Sequence, residues 1–527
     1  MNSEYVGVNL KLLPLVLLLP LLLPQHGVAE PARYQQSIQQ MKEQPRGPFS
    51  RIRWFCNDGT VLPPKAYACR PHGGGVQHGQ WSEQTLALRE QGYLVANLLA
   101  GINPVETLGD PEFENAYGQR LVERFLVAVD DGWIFRRALF YRGAIQEEDE
   151  RAGGRALLLA MLSDPAWRGP HFLATRTGVK LLPHGHDSAS VGRVRRQSAS
   201  LSEDDPPFMP VRIKIHGAPD ASDAGRVREY MAAVEDPGLR SRYAELAEEI
   251  DRIYQAQPLS RELSVLAGDK ALSAELRKAF SGAAGEWDGA DYAGRMALSG
   301  GLLAAVRDAV QSRSDRQQGL ALLDFSLRLE SAHFRAAAEV RAHLSAMNRR
   351  QILQSMAAAG DAAYGVGLLN RRLLEALRAE IDVLLAGEVS VADYQRGLAY
   401  LNRAPGWGLQ ALRRYFFGPM MTLAEVEPKA LLFIQDQLRG SPLLQFSQSL
   451  NLLARDAGTL AGIRHKLFGD EVGAGFTALN PGLARGVLHT GKMAEKGESL
   501  SEDGIYVLPE TVAELPPVAG ILTAGEG

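Results

Sequence analysis

From about Asp223 to Arg455 apolar residues recur every three to four positions almost without a break. That spacing predicts successive amphipathic helices. Arg240 to Tyr254, Gln317 to Asn348 and Arg371 to Leu385 are examples. Leu320, Leu323, Leu327 and Phe334 mark one apolar stripe. A helix core explains that stripe without a cofactor box. The same grammar begins near Asn115, where Arg120, Glu123 and Arg124 flank Leu121, Val122, Phe125 and Leu126. The segment Gln146 to Leu162 opens with acids that suit the positive end of a helix dipole, and Asp164-Pro165 stops it.

Other stretches break this pattern. Residues 30–115 read as loop-rich, punctuated by PRGPF, LPPKAY and RPHGGG, with SRIRWF and YLVANLLA as strands or buried helix. Residues 197–210, QSASLSEDDPPFMP, read as a linker. VRIKIHG after it alternates with period two and predicts a strand. Past Gly458, FTALNPGLARGVLHTG reads as strand, turn and strand, with Asn480-Pro481-Gly482 as the turn. GIYVLPE is a further strand, and VAGILTAGEG a strand running into a Gly-rich loop. The expected fold is mainly α, with a partly β N-terminal part and a small β unit at the end. The expected divisions are a leader (1–29), an N-terminal accessory domain (30–210), a helical domain (211–457) and a C-terminal unit (458–527). No internal repeat stands out.

Composition narrows the classes. A chain of 527 residues holds three or four domains of the usual size. With 46% hydrophobic and 22% charged residues it is neither wholly disordered nor polytopic in a membrane. Lys and Arg number 57 against 61 acids, so no basic excess points to a nucleic-acid partner. Residues 10–24, LKLLPLVLLLPLLLP, fall short of the ~20 a spanning helix needs and are broken by Pro14, Pro20 and Pro24. With Gly27 and Ala29 behind them they read as a secretory signal cut before Glu30; a retained anchor or a start at Met41 are the alternatives. Export implies a periplasmic or secreted protein with no membrane contact beyond the signal; a later start implies a cytoplasmic one. In an oxidising compartment Cys56 and Cys69 are expected to pair, because the DG and PP between them favour a turn; two reduced thiols are the other reading.

Several motifs are decoys. Gly486 to Met493, GVLHTGKM, is one residue from a P-loop, but Met493 offers no hydroxyl to Mg²⁺. His72 and His78 flank Gly73, Gly74 and Gly75, a run that could turn around an anion. His184 and His186 stand two apart beside Asp187 and share a face if extended. No helical Glu/His pair joins them, so no metal site is expected. Neither HExxH nor GxSxG occurs.

The last segment is the most specific. It holds in order Pro481-Gly482-Leu483-Ala484-Arg485-Gly486-Val487, a strand ending Val507 to Thr511, a Pro-Pro pair, and Ala519 to Thr523 running into Gly525 and Gly527. This resembles the start of the swivelling phosphohistidine domain of the PEP-utilising enzymes, which include phosphoenolpyruvate synthase, pyruvate phosphate dikinase and the glucan water dikinases. The resemblance covers about the last tenth of the chain. It implies an incomplete β/β/α swivelling domain at the C-terminus, with Thr523, Gly525 and Gly527 as phosphate-loop candidates. It places the carrier histidine, in a Ser-His pair, after Gly527, so no catalytic residue is expected within these residues. ATP and Mg would serve an ATP-binding domain expected downstream. The chain then reads as a fragment of a phosphotransferase that passes phosphoryl from ATP through a histidine to pyruvate, water or a glucan. An ATP donor sits awkwardly with export. Two readings of other classes stand beside it: a secreted helical binding or scaffold protein without catalytic activity, and a periplasmic metal enzyme using the histidine loops. Nothing in the sequence speaks to the oligomeric state.

Overall fold

In a computed structural model of the chain the described residues are 30–523, less 66–67, 131, 140–145, 186–188, 218–219, 255–257, 313–314, 464, 468–469, 474–483, 491–499 and 509–516. The fold is mainly α with small sheets, as the periodicity implies. The leader, His186, Asp187, the Asn480–Gly482 turn, Gly525 and Gly527 lie outside the described residues.

Helix α1 (Glu30–Glu43) carries Ile38 and Met41 into the core. Strand β1 (Phe49–Cys56) is the centre of an antiparallel sheet, between β2 (Val61–Leu62) and β3 (Gly75–Trp81). Cys56 and Cys69 form a disulfide with Cα atoms 5.2 Å apart. The chain returns to β3 through Gly73 and Gly74, at φ of 77° and 90°, where glycine avoids the Cβ penalty. Asn57 Nδ2 donates to Gly73 O at 2.7 Å. The glycine run thus serves the turn that sets β3 against β1.

The helices of the body are α2 (Glu83–Glu90), α3 (Phe113–Val129), α4 (Glu147–Ser163) and α5 (Phe172–Leu181), then a group α6 (Ala189–Asp204), α7 (Met209–Gly217), α8 (Ser222–Met231) and α9 (Pro237–Tyr254). Beyond these run α10 (Tyr292–Ser312), α11 (Arg316–His343), α12 (Arg349–Gly365), α13 (Ala404–Ala424) and α14 (Pro442–Leu460), with shorter helices between. Helix α10 packs on both α11 and α12. One hydrophobic core runs from Ile38 to Ala457, so the N-terminal region and the long helices share it. A second core lies within α6–α9, built from Val194, Leu201, Phe208, Ile215, Val227, Tyr243 and Ile250 among others. The expected division at 210/211 falls inside this second core.

Three local expectations are corrected. Residues 197–204 continue α6 and are not a linker: Val194, Ser198, Leu201 and Ser202 are buried, and the two serine hydroxyls donate to Arg195 O and Ala199 O at 2.9 and 2.8 Å. VRIKIHG lies in α7 and is not a strand. Val211 and Ile215, four apart, face the core while Ile213 is 60% exposed, so a run of three apolar residues fits either period. YLVANLLA is neither strand nor helix; it is a buried irregular segment with Ala96 at φ 57°. Helix α4 passes so close to it that a Cβ at Gly153 would lie 1.8 Å from Leu99 O.

Past α14, β4 (His465–Leu467) and β5 (Asp470–Gly473) pair antiparallel. Strands β6 (Val487–Thr490), β7 (Gly504–Leu508) and β8 (Gly520–Thr523) form an all-parallel sheet in chain order. No helix among the described residues is long and apolar enough to cross a membrane.

Candidate functional site

The C-terminal sheet places the first site candidate. Because its strands are parallel, their carboxyl-terminal residues Thr490, Leu508 and Thr523 lie along one edge, with Leu508 opposite Thr523. Ligands of open parallel sheets bind outside that edge. Of the three phosphate-loop candidates, Thr523 therefore ends β8, and Gly525 and Gly527 fall outside the described residues. Parallel sheets ordinarily have both faces covered. Here Val487 is 63% exposed and Ile521 38% exposed, and no described apolar side chain of the sheet is buried. His489 stacks on Tyr506 with ring centroids 4.5 Å apart.

The body holds buried charge that the sequence does not single out. Glu123 on α3 is buried and accepts from Ala96 N at 2.6 Å, Asn97 N and Asn97 Nδ2 at 2.8 Å, and Trp133 Nε1 at 3.3 Å. Glu150 on α4 accepts from Leu99 N and Ala100 N at 2.9 and 3.0 Å and from Arg124 Nη2 at 2.6 Å. These carboxylates supply the partners that residues 94–100 would otherwise take from a strand or helix. The polar side of α3, which a solvated face would explain, is thus turned inward. Burial pushes the Arg120 guanidinium down to about 10, and its Nε and Nη1 have no hydrogen-bond partner among the described residues. A carboxylate saturated by backbone donors is a structural clamp and a poor general base.

Arg307 on α10 is also spent inside. It lies over the rings of Phe172 and Tyr364, at 4.9 and 4.1 Å, and its Nη1 donates to Leu369 O at 2.6 Å. His333 on α11 meets Ser299 Oγ through Nδ1 at 3.0 Å, and burial pushes it down to about 4. Both members of this Ser-His contact are buried, 0% and 1% exposed, so no substrate reaches it.

Among the described residues the loop histidines do not converge. His72 Nδ1 meets Asp58 at 2.7 Å on the surface, and His78 stacks on Phe55 at 4.0 Å. His184 has acceptors at both ring nitrogens: Leu182 O at Nδ1 and Asp324 Oδ1 at Nε2, each 2.8 Å away. Both nitrogens then carry protons, which leaves no lone pair for a metal. Among the described residues no group of three His, Cys, Asp or Glu is arranged to hold a metal ion. Comparison of the chain with protein-family models, curated proteins and solved structures gives no match.

Proposed function

We propose that residues 458–527 belong to an incomplete phosphoryl-carrier domain of the PEP-utilising type, and that the body before them is its accessory module. The observation that carries this reading is the all-parallel, consecutive order of β6, β7 and β8, with Thr523 on their carboxyl-terminal edge. A neutral imidazole is a nucleophile near neutral pH, and the phosphoimidazole it forms hands its phosphoryl on readily. Glycines beside such a histidine let a phosphate approach backbone N–H groups. Gly525 and Gly527 have that role in this reading. The carrier histidine follows Gly527, and ATP with Mg belongs to a downstream nucleotide domain. The β-phosphoryl of ATP passes to the histidine, with AMP leaving and the γ-phosphate released to water as inorganic phosphate, and from the histidine it passes to pyruvate, water or a glucan.

The test begins with the codons after Gly527, which should encode a Ser-His pair within a few residues. The extended protein, incubated with ATP labelled at the β-phosphate, should gain an acid-labile, alkali-stable label. Replacing that histidine with alanine should abolish the label. A frame without the histidine, or an extended protein that takes no label, rejects the reading.

A further inference from the structure

We infer a phosphate-binding site in the cleft between α5, α11 and the start of α14, independent of the C-terminal reading. The cleft is narrow and open to solvent, with about 30 Å³ of room for the centres of water-sized molecules, and Arg176, Thr177, Lys180, Glu330, Gln437 and Ser441 line it. Its floor is a built ionic pair. The Arg176 side chain is 5% exposed and donates from Nε to Ser326 Oγ at 3.1 Å. Its Nη2 donates to Ser326 O at 3.2 Å and Glu330 Oε2 at 2.7 Å. Nη1 makes no hydrogen bond among the described residues, and neither does Glu330 Oε1; neither atom is sealed from solvent, so both are open to the cleft. Beside them stands the exposed Lys180. Two cations against one carboxylate leave the cleft net positive.

The free atoms define the ligand. Arg176 Nη1 and the Lys180 ammonium suit an oxyanion. Glu330 Oε1 suits a donor from the same ligand. An oxyanion that keeps a proton satisfies both sides, its P–O⁻ oxygens facing the cations and its P–OH donating to Glu330. Inorganic phosphate keeps that proton across the neutral range. Sulfate has none, so it sets an oxygen against the carboxylate with no hydrogen between them. A phosphate monoester loses its last proton with a pKa of about 6, so it matches phosphate only in acid. The site is therefore assigned to free phosphate. Thr177 and Ser441 are spent locally, donating to Leu173 O at 2.8 Å and Leu438 O at 2.6 Å, which leaves the charged trio to set the selectivity.

Isothermal titration of the full chain with phosphate, sulfate and glycerol phosphate tests this. Phosphate should bind at one site at pH 7, with sulfate at least about tenfold weaker. Glycerol phosphate should approach phosphate at pH 5.5 and fall about tenfold behind it at pH 8. Lys180→Gln lies at the surface and should weaken phosphate by about fivefold with the ligand-free melting temperature unchanged. Glu330→Gln, folded by circular dichroism, should bring sulfate to within about threefold of phosphate. Equal binding of sulfate and phosphate, no heat with phosphate, a Lys180→Gln variant that binds as before, or a monoester that outcompetes phosphate at pH 8 overturns the assignment.

Discussion

Replacing Glu123 with glutamine tests whether buried carboxylates hold the 93–100 segment. Oε1 would keep its acceptor role toward Ala96 N and Trp133 Nε1. The amide nitrogen would replace Oε2, which now accepts from Asn97 N and Nδ2, both at 2.8 Å. Two donors then face a donor in a site that excludes water. Losing two charge-assisted hydrogen bonds and leaving buried donors unmatched costs about 3–4 kcal/mol. Ala96 sits in the left-handed region, and its strain adds to the drive to open once the clamp is gone. The cost appears locally before it appears globally. Amide exchange over residues 94–100 should speed up by about two to three decades, since each 1.4 kcal/mol is tenfold. Trp133, fully buried beside Glu123, should report the loosening by fluorescence in urea. The exposed Glu106→Gln change, with the same chemistry, should do nothing. An exchange rate over 94–100 unchanged in Glu123→Gln refutes the clamp.

Other outcomes follow from the same reasoning. Burial alone would lower His184, but its hydrogen bond to Asp324, the Leu182 carbonyl and the Asp324 charge carry it above the ordinary imidazole value against the opposing Arg155. The folded state thus favours the protonated form, and this stabilisation is full below pH ~6.5 and lost as pH rises through the folded pKa. Asp324→Asn should lower the His184 titration in an NMR pH series; an unmoved curve rejects the pairing. His333 has the opposite sign: burial holds it near 4, so its contribution is present above pH ~6.5 and lost as pH falls, by about 3 kcal/mol at the acid end. Unfolding of His333→Gln should lack that acid loss, and an identical pH profile counts against it. Reducing Cys56–Cys69, a closure across 13 positions, should cost about 2–3 kcal/mol and lower the melting temperature; an unchanged melt would mean the sheet needs no staple.

The sequence made the body's helices legible and left its polar architecture hidden. The stripe of Leu320 and Leu323 is buried on α11 because period and length agree over many turns. In Val211 to Ile215 the run is too short to separate period two from a spacing of four, and Phe208 with Tyr243 decides it in three dimensions. The serines of α6 look like linker chemistry until their hydroxyls fold back onto their own helix. Residues 93–100 could not be read because their backbone partners lie on α3 and α4. Of the candidate site, the strands of β6–β8 were legible, but their parallel pairing depends on segments far apart in sequence. For Arg176 and Glu330 the only local sign is a charged residue among the apolar positions of a helix, a pattern that a solvated edge also produces.

The distribution of buried charge bears on which parts of the chain move together. Lys42 of α1 bridges Asp130 at 2.8 Å and Glu427 at 2.5 Å, joining the N-terminal helix to a segment 385 positions away. Arg176 ties α5 to α11, and Arg307 ties α10 to the turn after α12. Breaking one partner of such a pair leaves an uncompensated charge, so each contact favours a single arrangement. They span the same elements that share the Ile38–Ala457 core. N-terminal sheet and long helices are accordingly one mechanical unit, whatever ligand they hold. Among the described side chains, strands β6, β7 and β8 contribute no residue to either core and no pair to this ionic framework.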